Sequence, residues 1–190
     1  MTKEKIRCSW CLKDDLYKNY HDEEWGTPLH DDQKLFELLC LEGAQAGLSW
    51  YTILAKRENY RKAFDHFDAK KMAKYDAKKI EKLLLNEGIV RNRLKVNAFI
   101  TNAQAYLAIQ KEFGSFDKYI WQFVDGKPIN NNVSGMKDVP AKTAISDIMS
   151  KDLLKKGFKF AGSTICYAFM QASGMVDDHA NDCWKKKRKK

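Results

Sequence analysis

Four side chains near the two ends of the sequence have the types and spacing of a metal site. Twelve residues separate Cys8 from His21, and His179 stands four before Cys183, one helical turn apart on one face. Two thiolates and two imidazoles make a tetrahedral structural zinc set. Cys8-x-x-Cys11 is also a credible ligand pair, so spacing leaves Cys11 as a rival. Cys40 and Cys166 fall in apolar, helical stretches and read as reduced core residues, while His30 and His66 read as isolated surface histidines.

A second group is aromatic: Trp10, Tyr17, Tyr20, Trp25 and Trp50, with Tyr51 out of phase beside it. Flat rings with polar tips suit a pocket that stacks a planar base, and ring faces attract a cationic one. Ordinary core packing is the competing reading. Within L-E-G-A-Q-A-G-L-S-W, residues 41–50, Glu42 ends an apolar helix face. Buried, its carboxylate needs a cation or a donor; exposed, it is an ordinary surface glutamate. Leu48 lies between Gly47 and Ser49, where an exposed apolar tip could enter a base stack.

A third motif is K-G-F-K-F-A-G-S, residues 156–163, framed by Gly157 and Gly162. Its glycines let backbone amides approach another chain. The following helix opens with Ser163 and Thr164, whose hydroxyls and free N–H groups favour an anion. Such a turn can seat a DNA phosphate without reading sequence, or it can simply reverse the chain.

Helices must position these groups. Asp32 can cap a helix carrying Leu35, Leu38, Leu39 and Leu41, which Gly43 and Gly47 interrupt. Ser49 can cap the next helix, with Ile53, Leu54 and Tyr60 facing a core. Asp68 and Asp76 start short helices, and Gly88 ends the second. The longest helix spans 91–113, with further helices at 115–124, 143–156 and 163–173 and a polar loop at 130–140. No strand stands out. The fold expected is an all-α bundle of about seven to nine helices.

The length, 190 residues, suits one domain, here residues 1–184, possible as two closely packed lobes. No run is long enough to span a membrane and no signal peptide opens the chain, so a cytoplasmic protein is expected, with no membrane partner. Of 34 basic side chains, six form the end 185–190, K-K-K-R-K-K; the other 28 face 25 acidic ones. That end reads as a disordered basic tail that can hold phosphate loosely. Composition permits nucleic-acid binding without establishing it.

Taken together, C-S-W, Y-x-x-Y-H-D-x-E-W-G (17–26), residues 41–50, K-R-E-N-Y-R-K-A-F (56–64), G-F-K-F-A-G-S-T-I-C-Y-A-F-M-Q-A-S-G (157–174) and the final D-D-H…C resemble the DNA-3-methyladenine glycosylase I family. The likeness runs from Cys8 to Cys183 in the family's order. It implies a helical bundle of the helix-hairpin-helix glycosylase type whose chain ends are joined by zinc. It implies zinc on Cys8, His21, His179 and Cys183, and a base pocket of Trp10, Tyr17, Tyr20, Trp25, Glu42 and Trp50, with Glu42 and Tyr20 nearest the chemistry. It implies DNA contacts from Gln45, Leu48, Gly157, Phe158, Lys159, Gly162, Ser163 and Thr164.

The function expected is base-excision repair: hydrolysis of the N-glycosidic bond of 3-methyladenine in alkylated double-stranded DNA by a monomer. The free base would leave without strand cleavage, since no lysine is placed for a Schiff base. An alkylated adenine is cationic and already a good leaving group, so no general acid is required. The alternative is a non-enzymatic DNA-binding module, with the hairpin on phosphate and the aromatics in the core.

Overall fold

The structure is a computed structural model and describes residues 5–186. It is helical, as expected. The helices are α1 (Asp15–Glu23), α2 (Asp32–Gln45), α3 (Trp50–Ala63), α4 (Ala69–Met72), α5 (Ala77–Leu84), α6 (Arg93–Phe113), α7 (Phe116–Trp121), α8 (Ala144–Lys155) and α9 (Ser163–Ala172). The loop expected at 130–140 begins with a two-residue strand, β1 (Ile129–Asn130), paired in parallel with β2 (Val176–Asp177). A pairing this short leaves no period-two pattern to read.

Polar caps set the boundaries. Ser49, Asp68 and Asp76 each accept a backbone N–H from the first turn of their helix, as expected, and Thr143 does the same for α8. Asp31, not Asp32, caps α2. The Asp32 carboxylate instead accepts the backbone N–H groups of Phe116 and Asp117, each at 2.8 Å, and so anchors the start of α7. Gly88 does not end α5, which stops four residues earlier; its N–H donates to Asn86. Gly114, at φ 84°, does close α6 in the left-handed conformation.

The core forms around α2, which touches α3, α6, α7 and α9. Leu35, Phe36 and Leu39 of α2 are buried with Phe99, Ala103 and Tyr106 of α6 and Phe169 and Met170 of α9. Each side chain of this size contributes roughly 1.5–3 kcal/mol when fully buried. Gly43 continues α2 instead of interrupting it, and only Gly47, at φ 76°, lies past its end. No described helix is long and apolar enough to cross a membrane. Lys185 donates to the carbonyl of Asp22 at 2.8 Å and Lys186 to that of Asp177 at 2.9 Å, so both are tied to the fold. The rest of the basic end, 187–190, lies outside the described residues.

Candidate active site and metal cluster

The six aromatic and acidic residues expected to form a pocket line one cavity of about 400 Å³. The region from α1 to the start of α3 supplies Tyr17, Tyr20, Trp25, Glu42, Gln45 and Trp50, and the turn before α1 supplies Trp10. Trp10 is the hub, edge-on to Tyr17 at 5.1 Å and to Trp25 at 5.0 Å between ring centroids. Tyr20 meets Trp50 at 5.5 Å. Tyr51 points away and donates to Asp14.

Two polar atoms in this cavity are buried without a hydrogen-bond partner among the described residues: Glu42 Oε2 and Trp50 Nε1. Glu42 is 3% exposed, and burial pushes its carboxyl up to about 8. Burial also raises the Tyr17 and Tyr20 phenols, and the Glu42 charge adds to both shifts. The phenols are therefore neutral hydrogen-bonding groups. A buried acid with an unsatisfied oxygen is costly in an empty site and complementary to a ligand bearing donors and positive charge.

The sequence reading missed the rest of the wall. Gln171 and Asp178 line it from α9 and the segment after β2, together with Val133, Gly135 and Met136 of the loop after β1. Asp178 is buried and accepts from Tyr167 at 2.7 Å, Gln171 at 2.8 Å and Asn131 at 2.7 Å. The D-D-H string was a cue, but its first two residues lie beside a histidine that drew attention as a ligand.

Cys8, His21, His179 and Cys183 converge, with their ligand atoms all within 4.8 Å of one another. Cys183 Sγ lies 3.4 Å from His21 Nε2 and 3.6 Å from His179 Nδ1, and Cys8 Sγ lies 3.6 Å from the same Nδ1. Those spacings match the edges, roughly 3.3–3.8 Å, of a tetrahedron drawn at zinc–nitrogen and zinc–sulfur bond lengths. His21 Nδ1 is 2.8 Å from Asp22 Oδ1, which fixes the proton there and leaves Nε2 free. Burial alone would raise the Asp22 carboxyl; hydrogen bonds from Arg7 and His21 outweigh it and hold it well below the usual range. The hydrogen bond from the Cys8 thiol, followed by that from His179, holds the Cys183 thiol low.

Cys11 stands outside this group. Its thiol donates to the carbonyl of Cys8 at 3.1 Å, and burial pushes it up to about 11. The cluster also abuts the cavity. Trp25 stacks on His21 at 6.3 Å and stands perpendicular to His179 at 4.7 Å.

The hairpin between α8 and α9 is rigidly held. Gly157, at φ 100°, turns the chain. Asn102 of α6 clamps both backbone groups of Lys159, accepting its N–H at 2.7 Å and donating to its carbonyl at 3.1 Å. Ser150 donates to the carbonyl of Ala161 at 2.7 Å. Lys159, Gly162 and Thr164 are exposed, and Gly162 has open space around it. Phe158 does not share that surface: its side chain is fully buried in the core, stacked on Phe116 at 6.0 Å. An apolar ring of that size anchors the turn from inside, so the Phe158 side chain is not available to a partner at this surface. Ser163 is engaged with Asp147 at 2.5 Å. Leu48, 41% exposed, projects from the turn between α2 and α3.

Comparison with known proteins places this architecture. The chain is 54% identical to a DNA-3-methyladenine glycosylase of Haemophilus influenzae over 177 residues, covering 93% of this chain and 96% of that one. It is 49% identical to DNA-3-methyladenine glycosylase 1 of Escherichia coli, covering 93% and 95%. A crystal structure of 3-methyladenine DNA glycosylase I superposes with a TM-score of 0.94 at 49% identity, covering 96% of this chain and 100% of that one. A structure of the Staphylococcus aureus enzyme, described as the basis of its 3-methyladenine recognition, superposes at 0.93 with 41% identity, covering 97% and 98%. The methyladenine glycosylase family model matches residues 10–186, and the chain belongs to that family.

Proposed function

We propose that this protein hydrolyses the N-glycosidic bond of 3-methyladenine in alkylated DNA and releases the free base without cutting the strand. The observation that carries the reading is Glu42, buried with an unpartnered oxygen in an aromatic cavity of about 400 Å³, a size suited to a small ligand.

The target nucleotide must leave the duplex to reach this cavity. Trp50 stacks on the face of the extruded base, and Glu42 accepts hydrogen bonds from its edge. Burial keeps Glu42 protonated in the empty site at neutral pH. A cationic base favours its ionised form, and charge attraction inside a dry cavity is then strong. Tyr20 and Tyr17 orient the base as neutral phenols. The alkylated base departs as a neutral molecule as the bond breaks and the sugar takes up positive charge, so no residue here protonates it; water then adds to the sugar and gives up one proton to solvent. Among the described residues no lysine lines the cavity, which supports hydrolysis without a Schiff base.

The Cys8, His21, His179 and Cys183 set fits zinc by donor type and spacing. Zinc here would be structural, with four protein ligands and no open position, tying the start of the chain to its end behind Trp25. The 157–164 hairpin, with exposed Lys159, Gly162 and Thr164 at the start of α9, suits a DNA phosphate in the manner of helix-hairpin-helix proteins. Gln45 and Leu48 would fill the space left by the extruded nucleotide.

The test is single-turnover release of base from methylated duplex DNA, with strand integrity followed on a denaturing gel. Release of 3-methyladenine with intact strands is expected. Tight duplex binding with no base release would favour the non-enzymatic module.

A further inference from the structure

Lys95, in the first turn of α6, is only 7% exposed. Its ammonium donates to the carbonyl of Ala44 at 2.7 Å and to that of Ala46 at 2.6 Å. Burial lowers its pKa. No carboxylate pairs with it among the described residues, so the only acceptors it meets are backbone carbonyls at the end of α2. A cation there satisfies carbonyls that have no helical partner and complements the negative end of the helix dipole.

The place matters more than the bond strength. The clamped carbonyls, those of Ala44 and Ala46, belong to the four residues between Glu42 and Gly47. Just beyond them Gly47 adopts φ 76°, the N–H of Leu48 closes the turn onto the Gln45 carbonyl at 2.6 Å, and Ser49 starts α3 with Trp50. Glu42 is held by the body of α2, and Trp50 by a separately capped helix. The turn between them, carrying Gln45 and Leu48, has no such support of its own: Gly47 has open space around it and Leu48 is exposed.

We propose that Lys95 is a positioning residue for excision, holding the 45–48 turn in the shape that keeps the damaged nucleotide out of the duplex. The inference rests on the reading of Gln45 and Leu48 as the element that enters the DNA. It assigns Lys95 no contact with base or sugar.

The experiment compares Lys95→Met, which keeps the aliphatic stem and loses the donors, with the parent protein. Free 3-methyladenine should bind both within about twofold by NMR, because the pocket walls are held elsewhere. Single-turnover release from methylated duplex should fall by at least about tenfold, as expected when a positioning group is lost. The fluorescence of a 2-aminopurine beside the lesion, a reporter of unstacking, should fall with it. Lys95→Arg, which can still donate to two carbonyls, should recover most of the release. A loss of free-base affinity and release together would show a general structural role and overturn the proposal, as would unchanged release. Gly47→Ala, which strains the same turn without touching Lys95, covers the case in which Lys95→Met does not fold. It should lower release and spare base binding, and unchanged release there also overturns the proposal. If Leu48→Ala releases base like the parent, the DNA-entering reading of the turn has failed, separately from the clamp.

Discussion

Gly43 of α2 lies directly against Phe160 of the hairpin: a Cβ placed on Gly43 would come within 3.2 Å of both the Phe160 Cβ and its carbonyl oxygen. The residue next to the buried acid therefore touches the loop proposed to grip the DNA backbone. Phe160 itself holds φ 53°, an uncommon left-handed conformation for a side chain of this size. The contact fixes how far the pocket stands from the turn proposed to bind phosphate.

Gly43→Val should therefore separate these two parts. The added methyls must push the hairpin away, an overpacking cost of roughly 1–3 kcal/mol in stability. Release from methylated duplex should fall more than binding of free 3-methyladenine, because the base pocket is disturbed less than its register with DNA. Thermal unfolding, NMR titration with the base and single-turnover kinetics measure the three quantities. Equal losses in base binding and release would contradict a role in register.

Metal content follows from the Cys8, His21, His179 and Cys183 geometry. Protein purified without added zinc should carry about one equivalent. Cys183→Ser should lose the metal and a large part of the thermal stability. It should also weaken base binding, since Trp25 packs against both His21 and His179. Cys11→Ser should keep the metal, because the Cys11 thiol points to the Cys8 carbonyl instead of the cluster. Retention of zinc by Cys183→Ser, or its loss from Cys11→Ser, would show a different ligand set.

The sequence made the pocket readable because its members are rare residue types bunched in motifs: tryptophans, tyrosines, and a lone glutamate on an apolar face. The helix starts were readable where one polar residue stood alone before an apolar pattern, as at Ser49 and Thr143. Adjacent acids defeated that logic. Asp31 and Asp32 have equal capping chemistry, and only the tertiary position of α7 decides that Asp32 serves a different helix. Gly43 and Gly47 carry the same letter, yet one permits a close contact and the other a left-handed turn. Lys95 and Asn102 were invisible for a related reason. A single lysine or asparagine in a helix normally meets solvent, and nothing local announces that its partners lie more than fifty residues away in the hairpin or about fifty away in the end of α2.

The hairpin makes a prediction that does not depend on the lesion. Gly162 is exposed, free of neighbours and placed at the start of α9. Gly162→Asp should fold normally and put a negative charge where phosphate would sit. Binding to damaged and undamaged duplexes should weaken by a similar factor, and the salt dependence of binding should become shallower by about one unit of slope. Free-base affinity should not change. Weakening confined to damaged duplex would remove the hairpin from the backbone-binding role.

Glu42 links stability, pH and recognition in one residue. Its carboxyl is raised by burial from 4.5 to about 8, so the folded protein holds a proton that the unfolded chain has lost across that window. The stability carried by this proton is fully present below about 4.5 and is lost as pH rises through about 8. Glu42→Gln stays neutral throughout. Its stability relative to the parent should therefore climb through the window, by up to roughly 3–5 kcal/mol, and then level off. Urea unfolding at about pH 5, pH 7 and pH 9 measures the difference. The same substitution replaces an acceptor oxygen with a donor amide, so free 3-methyladenine should bind more weakly by about 1–3 kcal/mol. Trp50→Ala should cost a similar amount through lost stacking, about 1–3 kcal/mol, yet leave the pH dependence of stability as it was. The pair of variants thus separates the charge of the pocket from its flat wall. Parallel pH profiles for parent and Glu42→Gln would mean that the carboxyl is already ionised in the empty site, and the proposed gain of charge attraction on binding a cationic base would then have no basis.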